Sequence, residues 1–352
     1  MKIGLVTIIG NDNYGNRLQN FAIQKYLEKK NIEVETLQNE MHTNERKKYL
    51  LRKIKYINYK GTYSNVHGRR IKFEEFNKNI NFSQKKITAY SYRNKYDYYI
   101  VGSDQVWNYS AGRLRDVDLL KMIPPKKRIA FSASFGTSTI PEKCTHSISN
   151  ELKKFKQISV REEKGKEIIE NLTNRNDVEV LIDPTMLLSI KEWDEVSKKP
   201  IQLKNKRYIL NYFLGDLSNE RQNEIKRVAR ENNCEIINIL DKNSIFYESG
   251  PSEFLYLEKN AFLICTDSFH SCVFAILYNR PFIVFEREQK GIEKMNSRLD
   301  TLINKFKLKN RKFEGKITEK NLKHDYTEAY KILENERKKS EIFLKNALDI
   351  KE

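Results

Sequence analysis

The chain has 352 residues, a formal net charge of +18 and a mean hydropathy of −0.70. This length favours two domains over one, and no stretch approaches the roughly 20 apolar residues of a membrane-spanning helix. The first apolar run, MKIGLVTIIG, is shorter than a signal-peptide core and lacks a small-residue cleavage site, so we expect a buried strand and a cytoplasmic protein. The charge favours anionic partners, which include nucleic acid, a membrane surface and phosphorylated small molecules.

Apolar runs of strand length alternate with amphipathic helical stretches along the chain, which is typical of parallel sheets built from strand-helix-strand units. The predicted fold class is therefore α/β. The predicted strands are Lys2–Ile8, Glu33–Leu37, Tyr98–Val101, Arg128–Ser132, Gln157–Val160, Val178–Ile182, Tyr208–Phe213, Glu235–Ile239, Phe262–Cys265 and Phe282–Phe285. The predicted helices are Tyr14–Lys29, Glu163–Asn171, Asn219–Glu231, Ser252–Lys259, His270–Tyr278 and Asn296–Lys307.

A polar, lysine-rich stretch, Glu195–Lys206, separates the two halves and contains Pro200. This composition predicts an interdomain connection, with a boundary near residue 195. We expect an N-terminal domain over 1–195 with a basic insertion over 43–95, a C-terminal domain over 196–317 and a charged C-terminal helix over 318–352. That helix could pack on either domain or stay in solvent.

The segment Arg46–Lys72 holds ten lysine or arginine residues and no acidic residue. Within it, Leu50, Ile54 and Ile57 fall at helical spacing, which predicts a short basic amphipathic helix that contacts anionic lipid. A solvated basic loop is an equally weighted alternative. A nucleic-acid-binding protein is a weaker one, because no RRM, KH or helix-turn-helix signature accompanies the charge.

The cysteines show no paired metal-ligand spacing, and three of the four lie in or beside predicted apolar elements. They are Cys144, Cys234, Cys265 and Cys272. We therefore expect neither structural disulfides nor a zinc site, and no metal at the functional site.

The loop after the first predicted strand, Gly10–Asn16, opens a helix and carries free backbone N–H groups beside polar side chains. Such a loop suits sugar hydroxyls or a phosphate, although an ordinary turn with a helix cap is an equal alternative. It lacks the GxGxxG fingerprint of dinucleotide binding. The candidate binding residues here are Asn11, Asp12, Asn13, Tyr14, Asn16 and Arg17.

Two further loops follow predicted strands, where ligands of open α/β sheets bind. In IVGSDQVWN, residues 100–108, Asp104 is a candidate base or hydroxyl-orienting group, flanked by Ser103 and Gln105. Helix capping is the alternative there. In FSASFG, residues 131–136, Ser134 is a candidate ligand contact, and close packing of small residues is the alternative.

A strand also delivers Arg161 to its carboxyl end, where a guanidinium can bind a carboxylate or phosphate. A salt bridge to an adjacent glutamate is the alternative. In the loop 266–271, Asp267, Ser268 and Ser271 lie at the start of a predicted helix, a place that favours anions. His270 in the same loop is a candidate proton donor, because histidine exchanges protons near neutral pH.

No GxSxG elbow, P-loop, HExxH or paired-carboxylate motif is present, so the common hydrolase, NTPase and zinc-protease classes are excluded. Taken in order, the loops resemble the polysaccharide pyruvyl transferase family over roughly residues 3–308. The segments that carry the resemblance are GNDNYGNRLQNFAIQKYL, YDYYIVGSDQVWN, RIAFSASFG, ISVREEKG, VLIDPTMLL, GPSEFLYLEKNAFLICTDSFH and NSRLDTLINKF.

The resemblance implies two Rossmann-like domains that face each other across a cleft, as in GT-B glycosyltransferases. It also implies phosphoenolpyruvate as donor, no further cofactor, and a ketal formed across two hydroxyls of a glycan or lipid-linked sugar. Phosphoenolpyruvate would lie on the C-terminal domain and the acceptor on the N-terminal one. The family's histidine corresponds to His270, which we expect to act as the acid.

The sequence departs from the family pattern around this histidine. One branch of the family has an arginine two positions earlier, where this chain has Ser268, and the usual glycine after the histidine is Ser271. One phosphate contact must then come from another cation, and the candidates are Arg17, Arg287 and Arg298.

Two activities remain open besides pyruvyl transfer. A GT-B-like glycosyltransferase that uses a nucleotide sugar is the alternative enzyme, and nucleic-acid binding is the non-enzymatic one. A basic segment over 46–72 would be compatible with pyruvyl transfer, since it would hold the enzyme against the inner membrane face where lipid-linked sugars are built.

Overall fold

The computed structural model describes residues 1–10, 12–39, 60–87, 95–287 and 297–350. Within these ranges the chain forms two parallel β-sheets flanked by helices, which confirms the predicted α/β class. The first sheet is built from the N-terminal half of the chain and the second from the C-terminal half.

In the described residues the first sheet has seven strands in the order β3-β2-β1-β4-β5-β6-β7, and every pairing is parallel. The strands are β1 Lys2–Val6, β2 Glu33–Asn39, β3 Phe82–Ile87, β4 Tyr98–Val101, β5 Arg128–Ala133, β6 Gln157–Val160 and β7 Glu179–Val180. All six residues of β5 are buried, as expected of an inner strand that is covered on both faces.

The second sheet has four strands within the same ranges, in the order β11-β10-β8-β9, again all parallel. They are β8 Tyr208–Tyr212, β9 Glu235–Asn238, β10 Leu263–Thr266 and β11 Phe282–Val284. Because all strands of a parallel sheet point the same way, the loops that leave their carboxyl ends gather along one edge.

The helices that flank the sheets alternate with the strands along the chain. They are α1 Tyr14–Glu28, α2 Lys60–Asn77, α3 Glu142–Leu152, α4 Glu163–Thr173, α5 Ile190–Val196, α6 Asn219–Glu231, α7 Pro251–Asn260, α8 Phe269–Leu277, α9 Ser297–Lys305, α10 Glu319–Leu322 and α11 Thr327–Ala347. Every predicted element agrees with these bounds to within two residues, although β7 spans only the middle of the predicted strand Val178–Ile182.

The expected basic insertion over 43–95 stays a prediction, and the helix α2 and the edge strand β3, which the sequence analysis did not predict, lie inside it. Strand β3 has the sequence Phe-Ser-Gln-Lys-Lys-Ile, which is too polar and lysine-rich to be predicted as a buried strand. This composition is typical of sheet edges. Residues 46–59 of the expected lipid-binding segment lie outside the described residues. None of the described helices is long and apolar enough to cross a membrane.

The domain boundary near residue 195 stays a prediction. The last strand of the first sheet ends at Val180 and the first strand of the second sheet begins at Tyr208. Between them, α5 covers the predicted boundary itself and begins with a capping box formed by Ser189 and Glu192.

An aromatic cluster joins the two halves of the molecule. Tyr14 of α1 stacks on Phe73 of α2 at 5.5 Å and on Phe254 of α7 at 4.5 Å between ring centroids. The guanidinium of Arg69 lies 4.2 Å from the centre of the Tyr14 ring and donates to the carbonyl oxygen of Ser249. We call Tyr14, Arg69, Phe73 and Phe254 the aromatic seam.

The C-terminal helix α11 packs on both halves of the molecule. Phe343 stacks on Phe131 of β5 at 5.9 Å between ring centroids. Tyr330, nearer the start of the helix, donates to the carbonyl oxygens of Ile276 and Leu277 in α8. The charged C-terminal segment is therefore a bridge between the two sheets and is not left in solvent.

Candidate functional site

A cavity of about 210 Å³ lies where the carboxyl-end loops of the two sheets meet. Its wall receives residues from the loops after β1, β4, β8, β10 and β11, and from α9. The lining residues are Asn13, Asp104, Gln105, Leu214, Asp267, Ser268, Phe269, His270, Arg287, Arg298 and Leu299. Loops from both parallel sheets therefore contribute to this cavity.

The turn after β4 aims Asp104 into the site. Gly102 has a φ of +124°, and a Cβ at that position would lie 2.2 Å from the carbonyl oxygen of Phe131, so glycine is required there. Asp104 itself has a φ of +63°, in the left-handed region that aspartate tolerates better than most residues. This backbone turns the Asp104 carboxylate toward Arg161.

Arg161 is buried between two aspartates. Its Nη2 lies 3.0 Å from Asp104 Oδ1 and its Nη1 lies 2.6 Å from Asp183 Oδ2. Its guanidinium also covers the ring of Phe269 at 4.2 Å. Burial alone would lower the pKa of Arg161, but the two carboxylates outweigh it and hold the pKa above its ordinary value.

The imidazole of His270 is fixed on two sides. Its Nε2 lies 3.6 Å from Asp183 Oδ2. On the other edge, a Cβ added to Gly15 would lie only 2.1 Å from Nδ1, so the ring packs directly against the backbone of α1. This close approach explains the glycine in the first loop, and it places a histidine from one half of the chain against a helix from the other.

Asp183 is the common partner of these groups. Besides Arg161 and His270, it accepts hydrogen bonds from the Oγ of Ser103 at 2.9 Å and from the backbone N–H and hydroxyl of Thr185. Burial would raise the pKa of Asp183, but the neighbouring His270, Arg161 and the Thr185 amide outweigh it and lower the pKa below its ordinary value. Asp183 is thus an ionised, fully buried carboxylate.

Two arginines line the cavity in different ways. The terminal nitrogens of Arg298 both lie 2.7 Å from one end of the Gln105 side-chain amide, and we assign the oxygen to that end because a guanidinium can only donate. Burial lowers the pKa of Arg298 to about 10, which still leaves it charged at neutral pH. Arg287 is held at its inner end, where Nε donates to Asp267 Oδ2 at 2.8 Å.

The sequence profile of the polysaccharide pyruvyl transferase family matches residues 13–289, well over half of the chain and including nearly all of the cavity wall. The chain belongs to the polysaccharide pyruvyl transferase family. No curated protein sequence matches it significantly.

The fold of this pyruvyl transferase family member is similar to solved structures of nucleotide-sugar proteins. The S. aureus MnaA–UDP structure shares 12% identity over 99% of this chain and 97% of that one, with a TM-score of 0.51. The UDP-GlcNAc 2-epimerase from Neisseria meningitidis bound to UDP-GlcNAc shares 13% identity over 99% and 98%, with a TM-score of 0.48. The predicted GT-B-like fold, with two Rossmann-like domains facing across a cleft, is confirmed.

The structure brings some of the predicted site residues of this family member together on the cavity wall. They are Asn13, Asp104, Gln105, Asp267, Ser268 and His270. Arg287 and Arg298, two of the three candidate replacement cations, join them, and their partners show that both are organised by neighbouring polar groups.

Other predicted binding residues have partners within the protein. Tyr14 belongs to the aromatic seam and donates its hydroxyl to Ser249. Ser271 donates to buried Glu258 at 2.5 Å. Arg161 forms ion pairs with Asp104 and Asp183, and the adjacent Glu162 acts on it through its charge.

The remaining predicted contacts act in local structure. Ser103 donates to Asp183, and Ser134 donates to buried Glu162. The buried Arg17 donates to the carbonyl oxygen of Ile8. The backbone N–H of Asn16 donates to the side chain of the cap residue Asn13. Asp12 is exposed, and its carbonyl oxygen accepts from Arg69. Asn11 lies outside the described residues.

Asp183 is the site residue that the sequence reasoning missed. It stands in the segment VLIDPTMLL, where an aspartate followed by proline is typical of a helix cap, and its Oδ1 does cap the turn at Thr185. The available signal was that this polar residue directly follows an apolar run at a strand end, where ligand loops lie.

Among the described residues, no group of three or more His, Cys, Asp or Glu side chains is placed to hold a metal ion. All four cysteines are free thiols, and burial raises the pKa of Cys265 and Cys272. The cavity wall carries imidazole, guanidinium, carboxylate, amide and hydroxyl side chains.

Proposed function

We propose that the protein transfers the pyruvyl group of phosphoenolpyruvate to two hydroxyls of one sugar, in a cell-surface glycan or its lipid-linked precursor. Family membership supports this activity. The observation that carries it is the juxtaposition of His270, a candidate proton donor, with the guanidinium groups of Arg287 and Arg298 on the wall of one small cavity.

The donor's charge suits the cavity. Phosphoenolpyruvate carries a carboxylate and a phosphate at neutral pH, and both are bound best by guanidinium and N–H donors. Arg287 and Arg298 supply the guanidinium groups, and the amino end of α8 supplies N–H groups beside them. The volume of about 210 Å³ is below the roughly 300–1,000 Å³ of pockets for drug-sized ligands, which favours a small acid over a nucleotide sugar.

The reaction needs a proton donor at the methylene carbon of the donor. His270 delivers a proton there, and an acceptor hydroxyl bonds to the neighbouring carbon that carries the phosphate. A second hydroxyl of the same sugar then displaces phosphate and closes the ketal. One of the two hydroxyl protons replaces the proton that His270 gave, and the other leaves with the phosphate.

The carboxylates around His270 have separate tasks in this scheme. Asp183 touches the imidazole and orients it, so we assign it as a positioning residue. Asp104 lines the cavity and is suited to orient an acceptor hydroxyl. Burial would raise the pKa of Asp104, but Arg161, His270 and Arg298 lower it below its ordinary value, which makes the carboxylate a weak base.

The test combines donor binding with turnover. Calorimetric titration should show binding of phosphoenolpyruvate and no binding of UDP-N-acetylglucosamine. Incubation with a panel of p-nitrophenyl hexosides and phosphoenolpyruvate should release inorganic phosphate and give a glycoside heavier by one pyruvate less water. Binding of the nucleotide sugar without binding of phosphoenolpyruvate would contradict the proposal and favour glycosyl transfer.

His270→Gln should retain phosphoenolpyruvate binding and lose turnover by at least about 100-fold, since general acid catalysis contributes roughly 10² to 10⁴ in rate. His146→Gln is the matched control, because His146 is an exposed residue of α3 that bonds to Asn150 and lies outside the cavity wall. Near-normal turnover of His270→Gln on the same acceptor would refute the assignment of the acid.

A further inference from the structure

Asp267 holds Arg287 and the loop after β8 in one arrangement. Its Oδ1 accepts from the backbone N–H of Leu214 at 2.7 Å, and its Oδ2 accepts from the N–H of Gly215 at 2.9 Å and from Arg287 Nε at 2.8 Å. Both carboxylate oxygens are therefore occupied by N–H donors of the protein. Asp267 therefore lines the cavity as a residue that positions Arg287 and the loop after β8.

The stem of Arg287 lies against Gly215. A Cβ at Gly215 would be 3.5 Å from both Cγ and Cδ of Arg287, so the arginine extends along the glycine backbone. Its side chain is only 15% exposed although it lies near the surface. With Nε bound to Asp267 and the stem supported by Gly215, the direction of the guanidinium is fixed.

The terminal nitrogens of Arg287 and Arg298 have different surroundings. Arg298 directs both of its terminal nitrogens at Gln105, and one of them also lies 3.9 Å from Asp104. For Arg287, within the part of the chain that the structure describes, the single ion pair is the one through Nε to Asp267. Its two terminal nitrogens are a pair of guanidinium donors that can each donate to an oxygen of one anion.

Helix α8 begins on the same wall. The side chain of its cap residue Ser268 makes no capping hydrogen bond. The backbone N–H of Cys272 donates to the carbonyl oxygen of Ser268 and closes the first turn. The preceding amides of the first turn, from Phe269 to Ser271, have no carbonyl acceptor within the helix because of helix geometry. Positive partial charge from this helix end therefore adds to the charge of Arg287.

We propose that Arg287 and the amino end of α8 bind the phosphoryl group of the donor, and that Asp267 is the residue that positions Arg287 for it. This inference rests on the proposed function and gives its donor site an orientation. The phosphoryl group lies on the Arg287 side of the cavity, so the guanidinium also stabilises the phosphate as it leaves.

The first experiment measures the affinity of the full-length protein for three probes by calorimetric titration: phosphoenolpyruvate, inorganic phosphate and pyruvate, which lacks the phosphate. Arg287→Gln should lower the affinity for phosphoenolpyruvate and for phosphate by at least tenfold, since a charge-assisted bidentate contact is lost. The affinity for pyruvate should fall by less than twofold. Arg230→Gln, which removes an exposed charge from α6, is the matched control and should leave all three affinities unchanged.

The second experiment tests the positioning role with a double-mutant cycle. Asp267→Asn should weaken phosphate and phosphoenolpyruvate binding, and the double variant with Arg287→Gln should bind no more weakly than Arg287→Gln alone. Additive losses would show that Asp267 acts independently of Arg287 and would refute the positioning role.

The outcomes separate this inference from the proposed function. If the unaltered protein does not bind phosphoenolpyruvate, the proposed function fails. If it binds phosphoenolpyruvate and Arg287→Gln binds it equally well, the proposed function stands and the assignment of the phosphoryl group is wrong. An equal loss of affinity for pyruvate and for phosphate in Arg287→Gln would also overturn the assignment, because Arg287 would then not bind the phosphoryl group specifically.

Discussion

The aromatic seam and the cavity lie side by side at the contact between the two halves, and consecutive residues at the start of α1 enter both. Tyr14 stacks in the seam, whereas its neighbours Asn13 and Gly15 face the cavity wall and the His270 ring. One residue of sequence therefore separates an apolar, hydrogen-bonded contact from a polar site.

The two regions differ in how completely their polar groups are paired. In the seam, the hydroxyl of Tyr14 donates to Ser249, and Arg69 donates to Tyr14 and to Ser249. At the cavity, the Nε of Arg298 is buried without a hydrogen-bond partner among the described residues, and the Nε2 of His270 has only the 3.6 Å contact with Asp183 Oδ2. Paired polar groups stabilise the seam, while unpaired ones at the cavity are the groups that a ligand can satisfy.

Changing Gly15 to Ala should break the site without breaking the seam. The added Cβ would lie 2.1 Å from His270 Nδ1, so the imidazole must move, and turnover should fall by at least about 100-fold because misplacement of about 1 Å can cost that much. Steady-state rates with phosphoenolpyruvate and acceptor measure this loss.

Gly68→Ala is the matched control for this helical substitution. Its Cβ would meet the end of the flexible Glu248 side chain at 2.9 Å, and no residue of the cavity wall is among its neighbours. Turnover of Gly68→Ala should stay within twofold of the unaltered protein, and an equal loss in both variants would show that the effect of Gly15→Ala is not specific to His270.

Changing Arg69 to Ala should weaken the seam and leave donor binding at the cavity intact. It removes a buried guanidinium that covers the Tyr14 ring and bonds to carbonyl oxygens of both halves, Asp12 and Ser249. We expect the free energy of unfolding in urea to fall by about 2 kcal/mol, from lost hydrogen bonds and cation–π contact. Phosphoenolpyruvate affinity of the folded variant should not change.

Arg70→Ala is the neighbouring control, since Arg70 is an exposed residue paired with Glu74 one turn away. Exposed pairs of this kind contribute about 0.5 kcal/mol or less. A loss of stability for Arg70→Ala as large as that for Arg69→Ala would show that the seam is not the source of the effect.

Glu258 connects the two regions, because it lies on α7 with Phe254 and accepts from Ser271 of α8, the helix that carries His270. Burial raises the pKa of this carboxyl well above its ordinary value. Stability from such a group is fully present below the unfolded pKa of about 4.3 and decreases as the pH rises toward the folded pKa.

Glu258→Gln has no proton to lose, so its stability advantage over the unaltered protein should grow by about 1 kcal/mol between pH 5 and pH 6. Urea unfolding at a series of pH values measures this difference. The exposed change Glu220→Gln should show no comparable growth. An advantage of Glu258→Gln that is independent of pH would show that the pKa of the buried carboxyl is not raised in the folded protein.

Most of the fold followed from the sequence because buried parallel strands are continuous apolar runs. The inner strands β4, β6 and β8 were predicted to within one residue for this reason. The edge strand β3 was missed because its lysine-rich sequence lacks that run, and only pairing with β2 makes it a strand. Local propensity does not reveal such a tertiary partner.

The site was predictable to the level of loops and not to the level of contacts. Strand ends located Asp104, His270 and the loop before α1, because the geometry of parallel sheets gathers them. The partners of Arg161 could not be predicted, since Asp183 lies 22 residues further along the chain and on another strand's loop. The stacking partners of Tyr14 could not be predicted for the same reason, because they come from α2 and α7.

The bridge formed by α11 has a consequence for synthesis of the chain. Both sheets leave the ribosome before residues 327–347 do, so the contacts of Phe343 with β5 and of Tyr330 with α8 form last. Until then the nascent protein exposes the apolar surface that this helix later covers. Docking of this helix covers that apolar surface, which should lower the tendency of the chain to aggregate.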